Sequence, residues 1–110
     1  MENNSDINIP DSVIGVWSVT IHGPTGPQET TLELKDNNGE LIGTQSAMGQ
    51  VEDLLDLSYD SGNGEIAWIN KIKKPPPLSL KFRGVVEGDS ISGHVNAAIM
   101  GKFPFTGVKK

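Results

Sequence analysis

Residues 15–24 read GVWSVTIHGP, and this stretch decides the fold. Every second residue, counted from Val13, is apolar or glycine, and Trp17 belongs to that series. A period of two is typical of a β-strand with one buried face. A Gly-Pro pair at residues 23–24 then ends the strand. The stretch therefore predicts a first strand over residues 13–22 whose buried face carries the tryptophan.

The same alternation recurs along the rest of the chain, and short turns rich in glycine, asparagine or proline interrupt it. The turn DNNG at residues 36–39 offers the positive φ angles that a tight hairpin requires. We find no helical periodicity in the sequence. The predicted second to eighth strands are residues 28–35, 40–48, 51–60, 65–73, 78–86, 90–100 and 102–110.

Short strands joined by such turns form an antiparallel meander, which leaves unpaired edges unless it closes on itself. We therefore predict an all-β fold, an eight-stranded antiparallel up-and-down barrel whose lumen accommodates side chains or one small ligand. A β-sandwich is the alternative, because the proline-containing loops at residues 23–27 and 73–77 could supply its long crossing connection. The expected organisation is a flexible leader over residues 1–10 and a single barrel domain over residues 11–110.

Composition narrows the classes of function. The chain has no cysteine and two histidines, so we expect no disulfide, no metal site and no cofactor. No apolar run approaches the roughly 20 residues that cross a bilayer, so no membrane partner is expected. The net charge of −5 and the few aromatic residues argue against a nucleic-acid partner. The first residues lack the features of a secretory signal, which predicts a cytoplasmic location.

The triplet Gly15-Val16-Trp17, at the start of a predicted antiparallel barrel, resembles the Gly-x-Trp signature of the calycin superfamily of lipocalins and avidins. Other segments resemble the avidin–streptavidin family, in the same order and at similar spacing. The resemblance implies an up-and-down barrel in which Trp17 plugs one end of the lumen and Gly15 allows close chain approach beside it. The further segments are NNGELIGTQSAMGQVE, YDS, IAWINK and FTGVKK.

The residues that hold biotin in that family are mostly replaced at the matching positions of this chain. Val19 and Gly23 stand where the family's first strand carries an asparagine and a serine. Phe103 stands near the position of the family's aspartate, whereas Ser46 and Trp68 match ligand-contacting positions. A buried polar group without its partner costs about 1–3 kcal/mol. The resemblance therefore implies the architecture without tight biotin binding.

The predicted fourth strand supplies a candidate for acid–base chemistry. If Trp17 points inward, the apolar parity of this strand places the carboxylate of Asp53 in the lumen. A carboxylic acid in an apolar lumen can act as a general acid or base near neutral pH. The alternative is that Asp53 caps backbone N–H groups beside the turn at residues 49–50, or reaches water. The predicted inner face carries Val51, Asp53, Leu55, Leu57 and Tyr59.

Neighbouring strands add polar and aromatic groups to the predicted lumen. The fifth strand directs Trp68 and Asn70 inward together with Ile66 and Ile72, and either Gln45 or Ser46 joins them. The aromatic side chains form either a surface for a flat ligand or simply the core of a small barrel. The candidate ligand-binding residues are Trp17, Gln45, Ser46, Met48, Asp53, Tyr59, Trp68, Asn70 and Phe82.

A basic group of residues lies on the predicted sixth and seventh strands. His94 alternates with Ser92 and Asn96 on a polar face, which predicts an exposed imidazole. With the opposite parity, His94, Lys81 and Arg83 would line the lumen as an anion-binding wall. The sequence leaves both arrangements open.

Three functions are compatible with these features. The first is a binding barrel that holds a small hydrophobic or amphipathic molecule. The second is a cofactor-free isomerase, cyclase or lyase in which Asp53 moves a proton while Asn70 or Gln45 stabilises negative charge. The third is a structural domain with a filled core. A homodimer or higher homo-oligomer is also predicted, from outward apolar residues at Ile14, Val16, Ala98 and Met100.

Overall fold

The computed structural model describes residues 13–47, 49–72, 78–97 and 100–110, so the predicted leader lies outside the described residues. This part of the chain contains nine β-strands. The strands are β1 (Gly15–Gly23), β2 (Gly26–Asn37), β3 (Glu40–Ala47), β4 (Gln50–Asp53), β5 (Leu55–Asp60), β6 (Glu65–Ile72), β7 (Leu78–Glu87), β8 (Ser90–Asn96) and β9 (Lys102–Lys109).

The nine strands form one sheet in the order β4-β3-β2-β1-β9-β8-β7-β6-β5. All its pairings are antiparallel, including the pairing of β1 with β9. The two edge strands, β4 and β5, are separated in the chain by Leu54 alone, so the sheet must curl until its edges meet. The N–H of Leu54 donates to the carbonyl oxygen of Gly43 at 3.0 Å and ties this junction to β3. The predicted antiparallel up-and-down barrel is therefore confirmed, and the barrel is nearly closed.

The predicted count of eight strands is wrong, because the predicted strand over residues 51–60 consists of two strands. Its first part, β4, pairs with β3, and its second part, β5, pairs with β6. One short stretch of chain thus supplies both edges of the sheet. Chain connectivity brings the two edges of the sheet together at this stretch. Here β4 and β6 lie next to each other without pairing, and we call this line the seam.

A β-bulge in β5 explains why the inner face of this stretch differs from the prediction. Asp56 has a φ of 51°, and the pairing with β6 shifts by one residue between Leu55 and Ser58. An extra residue in one strand reverses which side chains face inward, because side chains alternate with a period of two. Before the bulge the half-buried residues are Glu52 and Leu54, and after it they are Leu57 and Tyr59.

The core fills the end of the barrel at which β1 begins. Trp17 is fully buried there, and its Nε1–H donates to the carbonyl oxygen of Val13 at 3.1 Å. Further along the lumen, the rings of Trp68 and Phe82 stack at a centroid distance of 4.8 Å. The ring of Phe105 meets both of them edge-on, at 5.9 and 5.3 Å. The position of Trp17 agrees with the predicted plug at one end of the lumen.

Two glycines allow β7 and β8 to approach each other closely, and one of them also makes room for the ring of Phe105. Gly84 and Gly93 are direct cross-strand partners in β7 and β8. A Cβ atom on Gly84 would lie 3.0 Å from Cζ of Phe105. A Cβ atom on Gly93 would overlap with the carbonyl oxygen of Arg83 and with the Cα of its glycine partner. Neither position has room for a side chain without movement of the backbone.

Candidate functional site

A cavity of about 120 Å³ lies in the lumen, at the end of the barrel away from Trp17. An apolar cavity of about 150 Å³ in another protein binds benzene, so this space suits a molecule with a single ring. Its apolar wall consists of Ile21, Ile72, Leu80 and Phe82. Its polar side includes Thr30, Gln45, Glu52 and Asn70.

Gln45 is the centre of a buried hydrogen-bond network beside the cavity. Its side-chain amide Nε2 donates to Oγ1 of Thr30 at 2.9 Å. Its Oε1 atom accepts two hydrogen bonds, from Nε1 of Trp68 at 3.2 Å and from Nδ2 of Asn70 at 3.0 Å. The hydroxyl of Thr30 in turn donates to the carbonyl oxygen of Val19 at 3.0 Å. The network therefore joins β1, β2, β3 and β6 across the lumen.

The two ends of the network fix the direction of every hydrogen bond within it. A backbone carbonyl such as that of Val19 can only accept, and the indole N–H of Trp68 can only donate. The hydroxyl of Thr30 must therefore donate to Val19 and accept from Gln45. The amide oxygen of Gln45 is then held towards Trp68, and Asn70 can approach that oxygen only with its NH₂ group. The orientations of both amides follow from the network.

Among the described residues, this arrangement leaves the side-chain oxygen of Asn70, Oδ1, without a partner. The Oδ1 atom is buried and accepts no hydrogen bond from any described residue, while the residue as a whole is 5% exposed. A buried acceptor without a donor costs about 1–3 kcal/mol. Asn70 lines the cavity, so a molecule bound there with an N–H or O–H group can remove this cost.

A carboxylate lies on the opposite side of the seam. Glu52 is half-buried, lines the cavity, and is the cross-strand partner of Gln45 in the pairing of β3 with β4. Asn70 lies on β6, across the seam from β4. The lining of the cavity therefore includes two acceptors on opposite sides of the seam, the carboxylate of Glu52 on β4 and Oδ1 of Asn70 on β6.

Comparison with known proteins supports the fold. No protein-family model and no curated protein matches the sequence. The chain is similar to a redesigned beta barrel. That solved structure matches with a TM-score of 0.64 over 91% of this chain and 92% of its own, at 6% sequence identity. At this identity the likeness shows the fold alone. Membership of the calycin superfamily stays a prediction.

The structure brings together several of the predicted ligand-binding residues. Gln45, Asn70 and Phe82 line the cavity, and Ser46 contributes to its rim. Trp68 lies beneath it, stacked on Phe82 and bonded to Gln45. These five residues come from three strands, β3, β6 and β7. The inward parity predicted for β6 is thus confirmed, since Trp68 and Asn70 are both buried.

Other predicted residues lie elsewhere. The expectation that Asp53 lies in the lumen is wrong: it is exposed, because residues before the bulge have the opposite parity from that assumed. Val51 and Leu55, also predicted inward, are 64% and 40% exposed. Tyr59 is half-buried and packs on the core without lining the cavity, and Trp17 is at the far end of the barrel. Met48 lies outside the described residues.

The basic residues of β7 and β8 face outward. Lys81, Arg83 and His94 are all exposed and border a groove on the outer surface together with Lys102. The arrangement in which they line the lumen is therefore wrong, because Phe82 and Val95 occupy the inward positions of these strands.

The sequence prediction missed several residues that line the cavity, among them Thr30 and Glu52. Thr30 shares the period-two face of Leu32 and Leu34, so its inward position could have been inferred from that pattern. Glu52 offered no such signal, because its parity depends on the bulge at Asp56. Within the described ranges, no group of three or more acidic or histidine side chains could hold a metal ion. No helix in this part of the chain is long and apolar enough to span a membrane.

Proposed function

We propose that this protein is a calycin-like barrel that binds one small molecule in its lumen. The ligand has an apolar body of about one ring, in keeping with the cavity of about 120 Å³. It also carries at least one hydrogen-bond donor. The apolar body packs against Phe82, Leu80 and Ile72, and the donor bonds to Oδ1 of Asn70.

The unpartnered oxygen of Asn70 is the observation that carries this proposal. A purely structural core is expected to satisfy its buried polar groups, because each unsatisfied one lowers stability. Here the neighbouring groups of Thr30, Gln45 and Trp68 are all satisfied, and they hold Asn70 in the one orientation that leaves its acceptor available. An acceptor that is fixed before binding loses little conformational freedom when a ligand arrives.

The structure gives less support to the alternative of a cofactor-free enzyme. That hypothesis assigned proton transfer to Asp53, which is exposed on the outer face of β4. A general acid or base must reach the atom that it protonates or deprotonates. Asp53 cannot do so for a molecule held in the lumen, so the residue on which the enzyme hypothesis depends lies outside the proposed site.

Two probes with the same number of heavy atoms test the proposal. Benzyl alcohol carries a donor, ethylbenzene carries none, and both fit a cavity of single-ring size. The readout is the ¹H–¹⁵N signal of the Trp68 indole, whose N–H bonds to Gln45 next to Asn70. The Trp17 indole, at the far end of the barrel, is the internal reference. We expect benzyl alcohol to shift the Trp68 signal at lower concentration than ethylbenzene.

Asn70→Leu keeps the approximate volume and removes the acceptor, so it should abolish the preference for benzyl alcohol. Asn96→Leu makes the same change on the exposed face of β8 and should keep that preference. If neither aromatic probe shifts the Trp68 signal, or if Asn70→Leu binds both as the native protein does, the proposed function is wrong.

The predicted homo-oligomer, the cytoplasmic location and the absence of nucleic-acid and membrane partners stay predictions. Of the apolar residues on which the oligomer prediction rests, Met100 is 57% exposed, whereas Ile14 packs against the core. Ala98 lies outside the described residues. Light scattering of the purified protein measures the oligomeric state directly.

A further inference from the structure

We propose that the lumen ligand is a small organic cation, namely a protonated amine attached to the single-ring body. This inference rests on the proposed function and adds the charge of the ligand to it. Two observations support it: the charged groups in the lining of the cavity, and the positions of two acceptors in that lining, the carboxylate of Glu52 and Oδ1 of Asn70.

Glu52 is the one charged side chain among the described residues that line the cavity. Within the part of the chain that the structure describes, its carboxylate makes no ion pair, and no lysine or arginine lines the space. The described basic residues of the neighbouring strands lie on the outer surface. A half-buried carboxylate without a cationic partner attracts a cation and repels an anion. The mouth of the cavity is therefore selective for positive charge.

The position of Glu52 relative to Asn70 favours a donor with several hydrogens. Glu52 and Gln45 are cross-strand partners, and their Cβ atoms are expected to lie roughly 4.5–5.5 Å apart. Gln45 Oε1 is 3.0 Å from Nδ2 of Asn70. The carboxylate of Glu52 and Oδ1 of Asn70 therefore both lie near the side chain of Gln45. The two acceptors are on opposite sides of the seam.

An ammonium group has three hydrogens and can donate to both of these acceptors at once, whereas an alcohol has a single hydrogen and can donate to one. The bond to the carboxylate is also charge-assisted, and such bonds are about twice as strong as neutral ones. The combination predicts that a primary amine binds more tightly than an alcohol of the same size. We expect a difference of about tenfold in Kd, because the neutral alcohol cannot form a charge-assisted bond as strong as that of the ammonium group.

Benzylamine, benzyl alcohol and benzoate test the charge of the ligand, with the Trp68 indole signal as the readout. Glu52→Gln removes the charge and keeps the shape of the side chain. Asp53→Asn is the matched control, because it makes the same change one residue further along β4, on the exposed face. The Trp68 signal of each unliganded variant reports whether the network around Gln45 is intact.

We expect benzylamine to bind about tenfold more tightly than benzyl alcohol in the native protein and in Asp53→Asn. In Glu52→Gln this advantage should disappear, so that benzylamine and benzyl alcohol bind to that variant with equal Kd. Equal binding of the two probes to the native protein, tighter binding of benzoate, or an advantage that survives in Glu52→Gln would overturn the inference and leave the proposed function standing. If neither the alcohol nor the amine binds, the proposed function fails, and this inference fails with it.

Discussion

Nδ2 of Asn70 donates to Oε1 of Gln45 over 3.0 Å, although the two residues lie on strands that are not paired with each other. This bond crosses the lumen. The two side-chain amides that it joins differ in how many of their polar atoms form hydrogen bonds. Gln45 has bonds at both ends of its amide, to Thr30 and to Trp68 and Asn70. Asn70 has a bond at one end alone within the described residues. Gln45 therefore stabilises the barrel, whereas Asn70 has an acceptor to which the ligand that we propose can bond.

Replacement of Gln45 by methionine should destabilise the barrel. The variant leaves two buried donors, the N–H groups of Trp68 and Asn70, without their acceptor, while the hydroxyl of Thr30 keeps its bond to Val19. Each such group costs about 1–3 kcal/mol, and some of this is recovered by relaxation, so we expect a loss of about 2–4 kcal/mol. Urea unfolding measures it. Gln50→Met, at an exposed position, is the control and should change stability by less than about 0.5 kcal/mol.

Replacement of Asn70 by leucine should lower stability much less than Gln45→Met, or raise it. It removes one hydrogen bond to Gln45, whose Oε1 keeps the bond from Trp68, and it also removes a buried acceptor without a partner. When an unsatisfied group is replaced by an apolar group of similar shape, the net change is close to zero or favourable. We expect the free energy of unfolding to fall by no more than about 1 kcal/mol, or to rise. A loss as large as that of Gln45→Met would show that Asn70 is structural.

Replacement of Gly93 by alanine should destabilise the sheet between β7 and β8. The added Cβ overlaps with the backbone of Arg83 and Gly84, so the strands must separate. Overpacking of this kind costs about 1–3 kcal/mol and occasionally more. Gly23→Ala is the control, because a Cβ there meets nothing within 4 Å. Thermal unfolding of the two variants gives the comparison, and equal midpoints would contradict the close approach of the strands.

Replacement of Asp56 by glycine should leave stability unchanged or raise it. Asp56 has a φ of 51°, and a residue with a side chain in this left-handed region is strained by about 1 kcal/mol. Ser58→Gly, in the regular part of β5, should instead lower stability by about 0.5–1 kcal/mol. Chemical unfolding separates the two effects. If both glycine variants were destabilised equally, Asp56 would not occupy a bulge.

Much of the barrel could be predicted from local sequence. The hairpin between β2 and β3 follows from its turn residues, since Asn38 and Gly39 both have the positive φ angles that the turn requires. The inward faces of β1 and β6 follow from simple alternation, which is why Trp17, Trp68 and Asn70 were placed correctly. These elements are regular, and each depends on interactions within a few residues.

The stretch from β4 to β5 could not be predicted in the same way. Leu54 and Leu55 are adjacent apolar residues, so the pattern fits either parity on both sides of them. Strand pairing decides which side chains face inward. The parity of β4 is set by its pairing with β3, and that of β5 by its pairing with β6. The bulge at Asp56 accommodates the change of parity between the two strands. Those partners are distant in sequence. For this reason Asp53 was predicted inward in place of Glu52, and the acidic residue of the site was missed.

In the complex that we propose, a ligand lies in the lumen and its donor bonds to Oδ1 of Asn70. A crystal structure of the protein soaked with benzylamine tests this claim most directly. We predict that the ring lies against Phe82 and Leu80 and that the nitrogen lies within about 2.7–3.2 Å of Oδ1 of Asn70. A lumen that contains only water, with the probe absent or bound in the outer groove beside Lys81 and Arg83, would contradict it.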